Sequence, residues 1–335
     1  MTAVMVQFVA LAVMVIAAGA LLTRCADAVA EITGLGRLLI GSILLAGATS
    51  LPELTVDITA IRLGLPDLAI GDLFGSSLMN LLILAVLDLT HYSRGKMLSR
   101  AAAAHALSGT ISIALTTLAG IGLLTAPLAP QIALAGVHAS VWVLAVGYCL
   151  GVRLVYIDQR IALRQARESG VSTERIQPRR GLTWYLAGIA AAAAVIFLAG
   201  PRLAAVAGQL AELSGLGHSF VGTTLVALST SLPELATTIV ALRMGSFDLA
   251  VGNLFGSNAF NMLLFLPLDL VFPGTLFAVA NRTHAVSALA VTMASSVVIM
   301  GQLYQAESRI HALEPDAWLV IGLIVVALFI VYSIS

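Results

Sequence analysis

The chain carries two related stretches, GATSLPELTVDITAIRLGLPDLAIGDLFGSSLMN at residues 47–80 and LSTSLPELATTIVALRMGSFDLAVGNLFGSNAFN at residues 228–261. When residues 41–89 are placed over residues 222–270 without a gap, about half of the positions are identical. The shared residues include Pro, Glu, Arg, Asp, Gly and Asn at fixed offsets, which a mere similarity in composition between apolar helices does not explain. We interpret the two stretches as an internal duplication.

The composition of the chain excludes a soluble globular protein. Of its 335 residues, 59% are hydrophobic and only 10% are charged, and the mean hydropathy is +1.01. Soluble domains have about 25% charged residues. Because a spanning helix needs about 20 apolar residues, the length accommodates about ten crossings of a lipid bilayer. The 17 basic and 17 acidic residues balance, so no basic excess favours nucleic acid as a partner.

Apolar stretches and one polar segment predict the domain organisation. The basic segment 153–181 separates a first half, residues 1–152, from a second half, residues 182–335. Each half holds five apolar stretches, and because five is odd, duplicated halves would lie upside down relative to each other, as in many secondary transporters. We therefore predict an all-α polytopic membrane protein with ten transmembrane helices in two inverted five-helix repeats. The apolar stretches are residues 4–22, 38–61, 68–90, 103–124, 129–151, 182–207, 219–242, 248–272, 283–303 and 317–335.

The distribution of basic residues predicts the orientation. Alternate loops hold 14 Lys and Arg residues on one side and 3 on the other. Because cytoplasmic loops carry the excess of Lys and Arg, we expect a cytoplasmic central loop and external termini in the cell's inner membrane. Cys25 and Cys149 would both lie near the cytoplasmic face, where thiols stay reduced, so we expect no disulfide.

Two glutamates lie in the middle of apolar stretches, where a charged side chain raises the free energy of membrane insertion. On insertion scales a charged residue at the centre of a membrane helix costs about 2.5–3.5 kcal/mol, and such residues mark ion pathways. Glu53 follows Pro52 and Glu234 follows Pro233, and each proline should break its helix. A break at membrane depth is tolerated where it lines a cavity or is covered by protein. The motifs therefore predict broken helices that hold an ion.

Polar residues around the two glutamates supply oxygen atoms. Thr49 and Ser50 precede the first glutamate, and the following helix carries residues spaced by four, which lie on one face. Carboxylate, amide and hydroxyl oxygens suit Ca²⁺ or Na⁺ rather than a transition metal, and we expect no cofactor. Ser76 and Ser257 are also explained by simple helix packing, and four glycines should let helices approach closely. In the second motif, the equivalent hydroxyls are those of Thr230 and Ser231. The residues spaced by four are Asp72, Ser76 and Asn80 in the first repeat, and Asn253, Ser257 and Asn261 in the second. The four glycines are Gly71, Gly75, Gly252 and Gly256.

Other polar residues have simpler explanations. Asp67 and Asp248 stand at the starts of helices, where capping explains them better than ion binding. The six histidines lie outside the polar cores of the two motifs, so we assign none of them a role.

The motifs GATSLPE with GDLFGSSLMN, and STSLPE with GNLFGSNAFN, resemble the two alpha repeats of the calcium/cation antiporter superfamily, most closely its prokaryotic sodium/calcium exchangers. The resemblance implies that Glu53 and Glu234 are the central Ca²⁺ ligands, shared with flanking Na⁺ sites. It places Asn80 and Asn261 at the remaining polar positions, where many sodium-coupled members have one Asp. The implied sites are completed by Thr49, Ser50, Ser76, Thr230, Ser231 and Ser257, with the carbonyls of Ala46 and Ala227.

Two acids break the symmetry of the repeats. Asp57 stands where the second repeat has Thr238, and Asp72 stands where it has Asn253. Both lie outward of the central polar residues in the predicted orientation, so we expect them to form an external vestibule that concentrates cations. The alternative is that Asp57 pairs with Arg62 and Asp72 caps a local bend.

These observations favour a secondary antiporter that exchanges Ca²⁺ for Na⁺ by alternating access, with Ca²⁺ efflux as the expected direction. Its partners would be the lipid bilayer and inorganic cations, and a monomer would suffice for transport. Proton-coupled exchange of Ca²⁺ or another divalent cation is the nearest alternative, and a cation channel is an alternative of another class. An enzyme is disfavoured, because no His or Lys is spaced to activate Ser50 or Ser231 as a nucleophile.

Overall fold

The computed structural model describes residues 1–90, 102–126, 132–168, 180–213, 228–303 and 315–334, and almost all of them are helical. A two-stranded antiparallel hairpin pairs β1 (Ala133–Leu134) with β2 (Val137–His138). A π-helical segment, Gly41–Leu45, lies between α2 and α3. The helices are α1 (Thr2–Thr33), α2 (Arg37–Ile40), α3 (Ala46–Thr49), α4 (Leu51–Arg62), α5 (Pro66–Thr90), α6 (Ala102–Thr125), α7 (Ala139–Glu168), α8 (Leu182–Leu213), α9 (Leu232–Arg243), α10 (Phe247–Val271), α11 (Leu276–Val279), α12 (Thr283–Leu303) and α13 (Pro315–Ile334).

The prediction of a helical polytopic membrane protein is confirmed. Within the described residues, seven helices are long and apolar enough to cross a membrane, and an eighth span results if the bent pair Arg37–Thr49 and Leu51–Arg62 is counted as one. Large apolar side chains such as Phe329 and Leu319 are exposed, as expected of a surface that faces lipid. The predicted seventh stretch, residues 219–242, falls partly outside the described residues, so the count of ten stays a prediction.

The predicted end of α1 and both predicted ends of α7 were wrong. Helix α1 continues from residue 22 to Thr33, because its last three turns are amphipathic and bury Cys25, Ala26 and Val29 where a hydropathy window ends. Gly34 ends the helix in a left-handed conformation with φ 65°. Helix α7 begins ten residues later than residue 129, after the hairpin, and it extends to Glu168 within the predicted linker.

The chain divides into two compact units. Unit 1 comprises Met1–Pro52, Ala103–Ser108 and Leu150–Ser257. In it α1 packs against α8 and α9. Helix α10 lies close to the backbone of the segment around α2, since a Cβ on Gly252 would be 2.6 Å from the carbonyl oxygen of Leu38. The predicted close approach is therefore confirmed for Gly252, and also for Gly256, which lies against the backbone of Ser42.

Unit 2 comprises Glu53–Ala102, Gly109–Cys149 and Asn258–Ser335. Helix α5 packs against α12 and α13, which also pack against each other. Three aromatic rings form part of its core, with centroids 6.0 Å apart for Phe74 and Phe265 and 4.9 Å apart for Phe265 and Phe277. The prediction for Gly75 was wrong, because a Cβ there would meet nothing within 4 Å among the described atoms.

Candidate functional site

Both motifs interrupt their helices one residue before the Leu-Pro-Glu sequence. Ser50 has φ −86° and ψ 9°, and Ser231 has φ −83° and ψ 6°, so neither continues an α-helix. The helices on either side of Ser50 are bent by 42°. Pro52 and Pro233 are then the second residues of new helices, where a missing N–H is not costly. The predicted breaks are confirmed at both motifs.

The π-helical segment was not predicted. Gly41 starts it, and a Cβ on Gly41 would be 2.6 Å from the carbonyl oxygen of Leu249. The close approach of α10 explains the choice of glycine. Single π turns occur frequently at functional sites. The sequence GSILL has no proline and an ordinary apolar pattern, so no signal in it distinguishes a π turn from an α turn.

In unit 1, buried polar atoms of several segments come together. Glu234 is only 1% exposed, and Ser50 Oγ donates a hydrogen bond to its Oε1 at 3.5 Å. Thr49 Oγ1 lies 3.4 Å from Ser257 Oγ and 3.4 Å from Asn253 Oδ1. The structure therefore brings Thr49, Ser50, Ser257 and Glu234 together as predicted site residues. Thr230 and Ser231 are also buried in this unit.

Thr237 is a buried residue of this cluster that was not predicted from the sequence. Asn253 Nδ2 donates to Thr237 Oγ1 at 2.9 Å and to Thr238 Oγ1 at 3.4 Å. Thr237 Oγ1 in turn donates to the carbonyl of Pro233 at 2.8 Å. These bonds tie α10 to the first turn of α9, where Glu234 lies. The spacing of Thr237 one turn after Pro233 was a possible signal, but threonine is common in membrane helices and the spacing was not distinctive.

In unit 2, Glu53 is 1% exposed, and the side-chain amides of Asn80 and Asn261 are also buried. Each amide is oriented by a hydrogen bond from its nitrogen. Asn80 Nδ2 donates to Asn258 Oδ1 at 2.9 Å, and Asn261 Nδ2 donates to Ser76 Oγ at 2.8 Å. Each amide nitrogen therefore already donates a hydrogen bond to another side chain of the protein. Across the ranges that the structure describes, no donor reaches Oδ1 of Asn80 or Oδ1 of Asn261, although both atoms are buried.

Such an arrangement is unfavourable without a ligand. A buried acceptor that lacks a hydrogen bond costs about 1–3 kcal/mol. An amide oxygen without a donor is a good ligand for a hard cation, and carboxylates and hydroxyls complete such coordination. Both buried amides therefore present their oxygen atoms as cation ligands would.

The remaining expected ligands are less well placed or lie elsewhere. The Ala46 carbonyl accepts hydrogen bonds from Ser50 N at 3.0 Å and from Thr49 Oγ1 at 3.2 Å, so it already has partners. Ala227 lies outside the described residues. Among the residues described, no three His, Cys, Asp or Glu side chains are grouped so that they could hold a metal ion. A cation in either unit would rely mainly on hydroxyl and amide oxygens beside a single glutamate.

The comparison with protein families decides the class of protein. The model of the family described as "sodium/calcium exchanger protein" matches residues 3–151 and 184–334. The chain belongs to the sodium/calcium exchanger family. It is a multi-pass membrane exchanger rather than an enzyme, and the resemblance noted in its two motifs is confirmed.

Two relatives and one solved structure resemble this exchanger. It is 30% identical over 264 residues to inner membrane protein YrbG of Escherichia coli (strain K12), covering 76% of each chain. It is 27% identical over 274 residues to the putative antiporter CaxA of Alkalimonas amylolytica, covering 80% of this chain and 81% of CaxA. The solved structure of the sodium-calcium exchanger NCX_Mj has a TM-score of 0.69 and 17% identity, covering 98% of both chains, so the two share a fold.

The two acids that break the repeat symmetry lie together in unit 2 of this exchanger. The Asp57 side chain is completely buried, and its carboxyl group interacts electrostatically with that of Asp72. Arg62 is exposed, and no ion pair between it and Asp57 occurs in the described part of the chain. Asp57 therefore faces Asp72 rather than Arg62. The vestibule function predicted for the two acids stays a prediction.

The aspartates at the starts of α5 and α10 contact histidines from other segments of the exchanger. In unit 2, Asp67 Oδ1 accepts a hydrogen bond from Asn281 N at 2.7 Å and lies 3.0 Å from His284 Nε2. In unit 1, Asp248 Oδ1 lies 2.9 Å from His105 Nε2. Both aspartates lie in the first turn of a helix, where the dipole favours negative charge. The capping explanation was thus incomplete, because these aspartates also join separate helices through histidine.

Proposed function

We propose that the protein is a secondary antiporter that exchanges Ca²⁺ for Na⁺ by alternating access and expels Ca²⁺ from the cytoplasm. The observation that carries this proposal is the orientation of Asn80 and Asn261. Their amide nitrogens are occupied by the protein, and their buried oxygens lack donors within the described chain. Two buried glutamates at helix breaks add the negative charge that a divalent ion needs.

The proposed ligands have two different functions, which are to balance the charge of the ion and to select it by size. Glu53 and Glu234 supply the charge, and the hydroxyls and amides distinguish Na⁺ from Ca²⁺ by number and spacing. Because one Ca²⁺ and several Na⁺ compete for the same carboxylates, each load displaces the other. Without a load, two uncompensated charges would oppose the alternating-access movement. The completing ligands are Thr49, Ser50, Ser76, Thr230, Ser231, Ser257, Asn80 and Asn261, with the carbonyls of Ala46 and Ala227.

Sodium is favoured as the coupling ion because buried hydroxyl oxygens lie in the same unit as the Glu234 carboxylate, and one of them contacts it. In unit 1, the hydroxyls of Thr49 and Ser257 lie 3.4 Å apart, and Ser50 contacts Glu234. A proton carried on a carboxylate needs no such neighbours, whereas Na⁺ needs several oxygen ligands. NCX_Mj, which has the same fold, is a sodium-calcium exchanger, and this agrees with Na⁺ as the coupling ion.

We further propose ten transmembrane helices in two inverted repeats, residues 1–152 and 182–335, in the inner membrane. The basic linker 153–181 would lie in the cytoplasm and the termini outside, as the excess of Lys and Arg indicates. YrbG is described as an inner membrane protein, which supports the location. A monomer would suffice, because all proposed ligands belong to one chain.

The test is uptake of radioactive Ca²⁺ by vesicles that contain the purified protein. An outward Na⁺ gradient should drive uptake, and an outward proton gradient in Na⁺-free buffer should not. Uptake driven by the proton gradient alone would contradict Na⁺ coupling. Uptake that follows the Ca²⁺ gradient without any counter-ion would instead indicate a channel.

A further inference from the structure

Asp27, near the end of α1, links three segments of unit 1, and the proposed exchange does not use it as a ligand. Its Oδ1 atom accepts a hydrogen bond from Arg37 Nε at 2.6 Å and another from Ser246 Oγ at 2.8 Å. Arg37 is the first residue of α2, and Ser246 directly precedes α10. The Asp27 side chain is only 16% exposed. One carboxylate oxygen of α1 therefore holds the starts of two other helical segments.

Those two segments lie directly against each other and carry hydroxyls of the proposed site. A Cβ on Gly41 would be 2.6 Å from the carbonyl oxygen of Leu249, so their backbones touch without side chains between them. Further along, Thr49 Oγ1 lies 3.4 Å from Ser257 Oγ. At 1.5 Å per residue, this hydroxyl pair is about 17 Å from the two helix starts, measured along the helices. Because side-chain rotation cannot absorb a shift between touching backbones, a displacement at the helix starts changes the spacing of the hydroxyls.

The other repeat has no equivalent of this link. The offset that superposes the two motifs also pairs Gly19 with Gly200, so the duplication extends to α1 and α8. The same offset places Gly208 opposite Asp27, and Leu65 opposite the serine that precedes α10. Neither glycine nor leucine has a side chain that can form such a hydrogen bond. The link is therefore a property of one repeat and is not required to build the repeat itself.

Neutralisation of Arg37 does not explain Asp27. Arg37 Nη2 also donates to Glu31 Oε1 at 3.0 Å, so Glu31 already supplies one negative charge for the guanidinium. The Arg37 side chain is 36% exposed, and water screens such ion pairs so that they contribute little to stability. The bond that distinguishes Asp27 from Glu31 is the one to Ser246, which joins α1 to the start of α10.

We propose that Asp27 is a positioning residue for cation binding, which fixes the start of α2 relative to the start of α10. The hydroxyls that the two segments carry are then held at the spacing that an ion requires. Ligands that are already in place bind more tightly, because binding does not have to order them. This inference rests on the proposed function, since Thr49 and Ser257 must be cation ligands for their spacing to matter.

The experiment measures equilibrium binding of radioactive Ca²⁺ to purified protein in detergent, together with thermal unfolding in the absence of Ca²⁺. For Asp27→Ala we expect the Kd for Ca²⁺ to rise about fivefold, the factor that corresponds to one hydrogen bond, with the number of bound ions unchanged. A merely structural role would lower Tm and leave the Kd as it was. Glu31→Gln, which removes the neighbouring acid but not the bond to Ser246, is the matched control and should change the Kd less than about twofold.

A second variant keeps the test decisive if Asp27→Ala fails to fold. Ser246→Ala removes only the bond to α10 and keeps the ion pair with Arg37, and it should also weaken Ca²⁺ binding about fivefold. Combining the two substitutions should weaken binding no further than Asp27→Ala alone, because both remove the same bond.

A parental Kd in the folded variants, additive effects in the double variant, or an equal effect of Glu31→Gln would overturn this inference alone. A parent protein that binds no Ca²⁺ would refute the proposed function, and this inference with it.

Discussion

At the scale of single residues, Ser76 and Ser77 show how adjacent hydroxyls take different roles. Ser76 Oγ accepts the hydrogen bond of Asn261 Nδ2 at 2.8 Å, so the amide oxygen of Asn261 points away from Ser76. Ser77 Oγ donates to the Leu73 carbonyl at 2.8 Å, within its own helix. Asn261 Nδ2 also donates to Ser77 Oγ, but at the longer distance of 3.4 Å, so Ser76 is the main residue that orients this proposed ligand.

We expect Ser76→Ala to weaken cation binding and Ser77→Ala to serve as its matched control. A hydrogen bond contributes about 1 kcal/mol, which corresponds to about a fivefold rise in the half-saturating Na⁺ and Ca²⁺ concentrations. Ser77→Ala removes the longer contact with Asn261 Nδ2, at 3.4 Å, but the shorter bond to Ser76 remains and the Ser77 backbone carbonyl still accepts Asn258 Nδ2, so the change should be below about twofold. Concentration dependence of exchange in vesicles measures both. Equal effects of the two substitutions would show that Asn261 is not oriented by Ser76.

At the scale of helices, two glycines at equivalent positions in the repeats have different surroundings. A Cβ on Gly256 would clash with the backbone of Ser42, in the π-helical segment. A Cβ on Gly75 would meet no described atom within 4 Å. Of these two glycines, Gly256 therefore lets α10 lie against a neighbouring segment, whereas no described neighbour of Gly75 requires a glycine.

This difference predicts opposite results for the same substitution. Gly256→Ala should destabilise the protein by about 1–3 kcal/mol, because the neighbour is backbone and cannot move aside easily. Gly75→Ala should be neutral or stabilising by up to about 1 kcal/mol, since alanine favours helix. Thermal unfolding in detergent, with exchange activity measured in parallel, checks both. A Gly256→Ala protein as stable as the parent would contradict the close approach of α10.

The breaks in the helices could be predicted from the sequence, but the neighbouring segments that pack against them could not. Pro52 and Pro233 remove a backbone donor wherever they occur, so the breaks follow from local chemistry. The π turn depends on contact with α10, which is distant in sequence. The end of α1 was missed because its last turns are amphipathic, and hydropathy detects only apolar turns.

At the scale of the whole molecule, the duplication predicted the family correctly, because a polar pattern repeated within apolar sequence is rare and specific. The same pattern predicted the residue types of the proposed site. The partners of each side chain were not, since they depend on which helices meet. Thr237 and Asn258 hold predicted ligands or their neighbours, and no local signal showed which partner either one would have.

In the proposed exchange, the two buried glutamates carry the charge that meets the transported Ca²⁺. The most direct test is Na⁺-driven uptake of radioactive Ca²⁺ by vesicles that contain Glu53→Gln, Glu234→Gln or the control Glu168→Gln, with folding confirmed by gel filtration and thermal unfolding. We expect uptake to be nearly abolished in either buried variant and unchanged in the control, because each neutral amide removes one of two charges that a divalent ion needs. Parental uptake in a folded Glu53→Gln or Glu234→Gln protein would contradict this role of the glutamates.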